Sequence, residues 1–554
     1  MRRYISEVVV GSVLLLAMSY LIAYLVGNPE IRHLPSYTLS TVSRIVITLV
    51  ISIVWGVLFG ILAETNKTAS FFITPLVDIL QSVPILGYFP MVLGFLLLSG
   101  PWGIELSILV LLFTSMAWSI FFGVLGAVHG IPENVVEASK SFGLKGWSYI
   151  RHVVLPSIAP AVISGANLAW SDGWFFIIAA EYIQYRGSIF VPSSGGLGYL
   201  LARAAYYYKD MNLSLILLLY ITVIVLVVNT LTWHRLMERA GPGVFRSILS
   251  MDLSGIGKIE ISKMASWLRF ERRHGMKPSR AISQRFRKYS RLEKLVSATL
   301  LITAVFIILY REIQHLPTLA MILDGLKKPP AEELVNLPVL ISLTMGRLTI
   351  AYAVSLTVAI GLGILAAEHR RLAAVIYPIY DIGQGVPILA LFPVLFLGLS
   401  QLLGAQRFAL EVTCIVMLVL DMIWYMFINV TNAVKNIPSD VKEVGQLFGF
   451  RGMKRLTHLI IPSIIPSIVT GSILSWGTGW NTIIFAEYLP STEPAIQPVS
   501  VPGIGSLLDK AGYTYGNTIV LVIIIGIIAA IVLSMEGLLW RRLLRRFEKY
   551  RVEV

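Results

Sequence analysis

The chain has 554 residues, 56% of them apolar and only 14% charged, with a formal net charge of +14. That charge fraction is too low for a soluble protein of this size, and no soluble basic domain is present to make the positive balance a nucleic-acid footprint. A single cysteine, Cys414, excludes an intrachain disulfide and a thiolate metal site.

Apolar runs of bilayer length recur along the chain. After Arg2 and Arg3, the first covers about Val8 to Val26. It lacks a clear small-residue cleavage site and is expected to be a retained helix rather than a signal peptide. Runs follow at Val42–Leu62, Pro75–Leu98, Gly103–Val124, Ala159–Ile183 and Leu213–Leu231. Gly56 and Gly60 in the second form a small-xxx-small pair suited to close helix packing. Pro84 and Pro90 interrupt the third, which should bend or break there. A polar stretch separates the fifth and sixth runs. From Gly241 to Leu295 there are 13 Lys and Arg against 4 Asp and Glu. Residues 241–291 read as a basic cytoplasmic linker, either a plain tether or short helices on anionic lipid. Six further runs follow, at Val296–Tyr310, Leu340–Ala366, Ile376–Leu399, Leu410–Ile428, Ile464–Phe485 and Thr518–Leu539.

The expected fold is therefore all-α and polytopic, with about twelve membrane helices in two repeats, 1–240 and 292–554, joined by the linker. Basic residues concentrate at one set of loops, with both termini on that side. The positive-inside rule makes that side cytoplasmic. Six helices per half give both halves the same orientation, so the repeat is parallel.

The duplication is visible residue by residue. Glu137–Pro160, EASKSFGLKGWSYIRHVVLPSIAP, recurs 306 positions later as Glu443–Pro466, EVGQLFGFRGMKRLTHLIIPSIIP. Upstream, Arg44, Asp78, Pro84 and Pro90 match Arg347, Asp381, Pro387 and Pro393 at a spacing of 303. Downstream, Trp170, Gly173, Trp174 and Glu181 match Trp476, Gly479, Trp480 and Glu487 at 306. Pro192, Gly196 and Gly198 match Pro502, Gly503 and Gly505 less regularly. The 137–160 stretch reads as a short amphipathic helix broken at Gly143 or Gly146, then a second helix, with Pro156 restarting the chain into the fifth run. Such an elbow is either a docking element for a cytoplasmic partner or an ordinary amphipathic loop.

The repeated stretch resembles the coupling (EAA) motif of ATP-binding-cassette importer permeases: Glu-Ala-Ala, three residues, Gly, nine residues, Ile, one residue, Leu-Pro. The first copy has Glu137-Ala138-Ser139, Gly143, Val153 and Leu155-Pro156. The second has Glu443-Val444-Gly445, Gly449, Leu459 and Ile461-Pro462, departing at both alanines and at Leu. The prolines at 75–90, the Trp170–Glu181 segment and Gly-Leu-Gly at 196–198 are similar to the nitrate/sulfonate/taurine/bicarbonate branch. The resemblance covers nearly all of both halves, whereas members generally pair two separate permease chains. It implies two copies of a cytoplasmic ATPase subunit gripping the two elbows, and an extracytoplasmic solute-binding protein on the opposite face. It also implies ATP and Mg in those partners and a small anion as solute. This chain carries no Gly-Lys-Ser/Thr phosphate loop of its own, so no cofactor is expected in it and no catalytic residue can be assigned.

Candidate pathway residues are Asp172, placed midway along the fifth run where a charge should face protein or water, with Thr478 at its repeat position, and Asn481, which replaces Phe175. Arg44 with Glu181, and Arg347 with Glu487, line an external mouth or form structural ion pairs. Trp170, Trp174, Trp476 and Trp480 line the path or pack. Asp78 and Asp381, with Pro84 and Pro387, are expected to tie or cap the broken third helix. Asp172 also leaves open an ion-coupled secondary transporter, and a channel or membrane scaffold is a further alternative.

Overall fold

The computed structural model describes residues 29–236 and 324–547 except for 83, 97–101, 186–187, 191, 193, 235 and 490–498, together with 18, 19 and 22. The linker at 241–291, the run at Val296–Tyr310 and nearly all of the run at Val8–Val26 lie outside the described residues.

In the first half the helices are α1 (Leu34–Thr65), α2 (Lys67–Ser82), α3 (Ile85–Leu96), α4 (Gly103–His129), α5 (Glu133–Ser141), α6 (Leu155–Ala180), α7 (Leu197–Ala202) and α8 (Met211–Val228). The second half repeats them as α9 (Leu337–Glu368), α10 (Arg370–Gly385), α11 (Ile388–Leu403), α12 (Gln406–Lys435), α13 (Ser439–Leu447), α14 (Ile461–Ala486), α15 (Ile504–Asp509) and α16 (Thr518–Met535), with α17 (Arg541–Phe547) at the end. Two-stranded antiparallel hairpins follow α6 and α14, β1 (Ile183–Tyr185) with β2 (Ser188–Phe190) and β3 (Tyr488–Leu489) with β4 (Val499–Ser500). Eight helices among the described residues are long and apolar enough to span a bilayer, or nine if α10 and α11 count as one bent span.

Helix α1 shows why the chain needs lipid. Its buried face carries Thr38, Thr41, Arg44, Thr48, Ser52, Gly56 and Gly60, while Val46, Ile47, Val50, Val54 and Leu58 point outward. A water-soluble helix sorts these residues the other way. α9 repeats the inversion, burying Thr344, Arg347, Ser355 and Gly363 and exposing Ile350, Val354, Val358 and Leu362. In each half the first long helix packs on the second and the second on the third (α1–α4–α6 and α9–α12–α14). Gly56 and Gly60 permit this: a Cβ there would lie 2.7 Å from the Ile120 side chain and 2.8 Å from that of Val124. Gly363 stands in the same relation to Val430, at 2.7 Å.

The third run breaks in both copies, at Pro84 and at Pro387, and α10 and α11 are bent by 92°. Pro393 does not break its helix. Beyond the breaks the chain crosses to the other half. α3 leans on α14 and α16, and α11 leans on α6 and α8. The two halves are thereby interlocked.

Pro156 does not restart the chain. Residues 147–180 run as one helix whose turn at Ile150–Val154 is widened to π geometry. The proline has no N–H to give the preceding turn, and the wide turn absorbs the mismatch. The second copy repeats this at Leu456–Ile460 ahead of Ile461 and Pro462.

Candidate functional site

Each elbow is a short helix closed by a glycine. In the second half the Phe450 N–H donates to the Gly445 carbonyl and the Gly449 N–H to that of Gln446, both at 2.9 Å. In the first, the Leu144 N–H donates to the Ser139 carbonyl at 3.0 Å. These bonds are those of a helix terminated by a left-handed residue. Gly143 and Gly449 have φ of +72° and +70°, with nothing within 4 Å of an added Cβ. Backbone conformation, not space, requires glycine at both.

The closed elbow presents apolar side chains to solvent. Phe142 is 83% exposed and Trp147 68%. Leu447, Phe448 and Met453 are 86%, 74% and 71% exposed in the second copy. Both elbows sit at the same end of the bundle, after α4 and α12. Glu137 and Ala138 are exposed on α5, as is Glu443 on α13. The second copy's glycine in place of the second alanine has a packing correlate: a Cβ on Gly445 would lie 2.2 Å from the Leu459 side chain, a residue larger than Val153 at the matching position of the first half.

At the other end of each half a buried arginine gathers two carboxylates. Arg44 bonds Glu105 through Nε and Nη2, both at 2.9 Å, and Glu181 through Nη1 at 2.7 Å. Arg347 does the same with Glu411, at 2.6 and 2.8 Å, and with Glu487 at 2.7 Å. Neither Glu181 nor Glu487 is exposed at all. Glu181 also accepts from Thr41 Oγ1 at 2.8 Å and the Gly198 N–H at 2.9 Å. Glu487 likewise accepts from Thr344 Oγ1 at 2.6 Å and the Gly505 N–H at 2.9 Å. Such a fully bonded buried charge cluster fixes geometry, and it joins the first helix, the second and the α7 or α15 turn.

The glycines of the Gly-x-Gly segments serve this node. A Cβ on Gly196 would lie 2.2 Å from the Glu181 carboxylate, and one on Gly503 2.1 Å from that of Glu487. Arg44 Nη1 donates to the Gly195 carbonyl and Arg347 Nη1 to that of Pro502. Gly195, not Pro192, is therefore the counterpart of Pro502. Sequence reading missed Glu105 and Glu411. Their spacing of 306 was a usable signal, since it places the three-residue shift before α4 and α12.

Between the halves lies a polar face on α6 and α14. Ser171 and Gly477 are exposed in mid-helix, with Asp172, Thr478 and Asn481 half-buried beside them. Ser119 Oγ donates to Asp172 at 3.4 Å, and Thr478 Oγ1 to the Ser475 carbonyl at 3.1 Å. Asn481 joins the halves, since its Oδ1 accepts the Ile85 N–H at 2.9 Å and so caps α3 from the opposite half just after the Pro84 break. The side chains of Asp78 and Asp381, expected to tie this break, lie outside the described residues. A second carboxylate, Asp421 on α12, is buried and accepts from Thr482 Oγ1 at 2.8 Å. Its repeat position is Ser115.

The four tryptophans pack rather than face the polar gap. Trp170, Trp174, Trp476 and Trp480 are all at least nine-tenths buried. Trp170 stacks edge-on with Trp174 at 6.1 Å and tilts against Trp233 at 6.3 Å, and Trp476 meets Trp540 at 6.3 Å.

Residues 56–240 and 359–547 each match the binding-protein-dependent transport system inner membrane component family. Similar proteins include the bicarbonate transport system permease protein CmpB of Synechocystis, 29% identical over 181 residues, 32% of this chain and 59% of that protein. The nitrate import permease protein NrtB of the same genus is 24% identical over 205 residues, 37% of this chain and 66% of that protein. The taurine transport system permease protein TauC of Escherichia coli is 26% identical over 160 residues, 28% of this chain and 56% of that protein. Each alignment spans about a third of the chain. With two matched segments covering most of its length and its spanning helices duplicated, the chain is a multi-pass membrane protein with two permease domains fused, a member of the binding-protein-dependent transport system inner membrane component family.

Proposed function

We propose that this chain is the permease subunit of an ATP-driven importer and forms its translocation pathway, with its two elbows docking on two copies of a cytoplasmic ATPase subunit. The carrying observation is the pair of elbows: each is closed by a left-handed glycine and exposes bulky apolar side chains at the same end of the bundle. Exposed aromatic and aliphatic anchors of this size mark a protein interface. ATP and Mg belong to those partners. Both chain termini lie on the cytoplasmic side of the cell membrane, and a solute-binding protein delivers its load to the arginine–glutamate end.

The solute crosses between α6 and α14, past Ser171, Asp172, Thr478 and Asn481. Names of the similar proteins favour a small anion of the nitrate, bicarbonate, taurine or sulfonate type. The buried arginine nodes hold the outer ends of the helices rigid, so that closure of the ATPases moves each half as a body about the path. Replacing Gly143 and Gly449 with bulky residues and measuring co-purified ATPase and ATP-dependent uptake tests the docking. The expected result is loss of both, and retention of both refutes it. Uptake that survives ATP depletion but not collapse of the ion gradients would instead assign a secondary transporter.

A further inference from the structure

The two halves differ at the elbow end in a way the importer reading does not use. In the first half the junction of α1, α4 and the elbow is hydrogen-bonded and filled. Glu64 pairs with His129 at 2.8 Å, and Val136 and Tyr149 are buried, at 4% and 9% exposure. The matching positions of the second half are Ala367, Lys435, Lys442 and Arg455. One carboxylate, one histidine and two packed side chains are thus replaced by a small residue and three basic ones.

The outcome is a recess of about 390 Å³ lined by Glu368, His369, Lys435, Lys442 and Arg455 above Ala367 and Val434. Arg455 is paired with Glu368 at 2.5 Å, so the carboxylate in the wall is already engaged. Among the described residues neither Lys435 nor Lys442 pairs with a carboxylate. Lys435 is held by the Tyr377 hydroxyl and lies 4.5 Å from the centre of that ring. Two lysines, a histidine and an arginine therefore line a concave site with a single acid.

We propose that this recess binds an oxyanion of the phosphate type, supplied either by the headgroup of an anionic lipid in the adjoining leaflet or by a free oxyanion in solution. Lysines donate to phosphate oxygens as point charges, and a concave surface lined by one excess sign of charge strengthens the attraction. Lys442 precedes Glu443 of the elbow, while Lys435 ends α12 and His369 follows α9. A bound oxyanion ties the second elbow to two spanning helices, and the first elbow has no such tie. ATPase docking could fail with this site intact, because binding is read on the chain without partners.

The test uses the purified full chain and two probes. Binding of inorganic phosphate is measured by equilibrium dialysis in a neutral detergent. Retention of phosphatidylglycerol is measured by native mass spectrometry from nanodiscs of mixed phosphatidylcholine and phosphatidylglycerol. For whichever probe binds, K435A/K442A should weaken binding by roughly thirty-fold, the worth of two lysines beside an anionic headgroup. K435R/K442R should restore it, and K145A/R151A, which removes two exposed cations near the first elbow, should change it less than about three-fold. Lipid retention alone assigns the headgroup as source, and saturable phosphate binding assigns a free oxyanion. No binding of either probe by the native chain, or an equal loss in K145A/R151A, overturns the proposal.

Discussion

Replacing Glu181 with alanine should lower the thermal midpoint of the chain. The carboxylate has no exposed surface and takes one bond each from Thr41, Arg44 and Gly198. Its loss strands one guanidinium nitrogen short of its anion, and leaves a buried hydroxyl and a buried N–H without an acceptor. Glu105 still engages Arg44 through two bonds, so the arginine is not wholly abandoned. Breaking a buried pair from one side costs about 3–5 kcal/mol, and the retained Glu105 places this case near the lower figure. For a unit of about 200 residues that is roughly a 10 °C fall in midpoint. Thermal loss of the monodisperse peak for the full chain in detergent provides the assay, with Glu105→Ala measured alongside and the two combined. Because both acids share Arg44, the double variant should depart from additivity by at least about 0.5 kcal/mol. A midpoint within about 2 °C of native for Glu181→Ala, against the fall expected for a unit of this size, or simple additivity in the double, would refute the node as the clamp of the outer end.

Three further outcomes follow from the same geometry. Gly198→Ala drives a methyl to 2.5 Å from the Ile178 carbonyl and should lower the midpoint as Glu181→Ala does, whereas Gly346→Ala, with open space around it, should not. Gly449→Ala costs about 1–2 kcal/mol through its left-handed backbone and should weaken ATPase co-purification more than thermal stability. Asn481→Ala removes the acceptor for Ile85 N–H and should cost about 0.5–2 kcal/mol, read as a lower midpoint, while Asn481→Asp retains an acceptor and most of the stability.

Much of this architecture could be read from residues alone because membrane physics leaves large traces. Runs of bilayer length, the first proline of each pair and the repeated elbow each follow from one strong constraint, and among the described residues eight or nine spanning helices, a break after the first proline in both copies and two glycine-closed elbows are found. The breaks at Pro84 and Pro387 are an example. Which proline breaks the helix was not legible, since Pro393 has the same chemistry as Pro387 and differs only in its tertiary setting. Arg44 and Glu181 stood out as charges in apolar sequence, but their third partner did not, because Glu105 sits at a helix start where an acid is unremarkable. Asn481 was visible as a polar residue replacing Phe175, yet its bond runs to the other half across 396 residues, beyond the reach of local pattern. The tryptophans were ambiguous for the opposite reason: a spacing of four suits both a lined path and a packed seam, and only the partner rings decide.

The shared orientation of the two elbows is the point on which transport by this chain turns. In a background where the one cysteine, buried Cys414, is replaced by alanine, single cysteines at Phe142 and Phe448 can be labelled with a membrane-impermeant maleimide in right-side-out and inverted vesicles. Both positions should react only in inverted vesicles, where the cytoplasmic face is outward. Reaction of the two positions in opposite vesicle types would contradict the parallel repeat and the paired docking built on it.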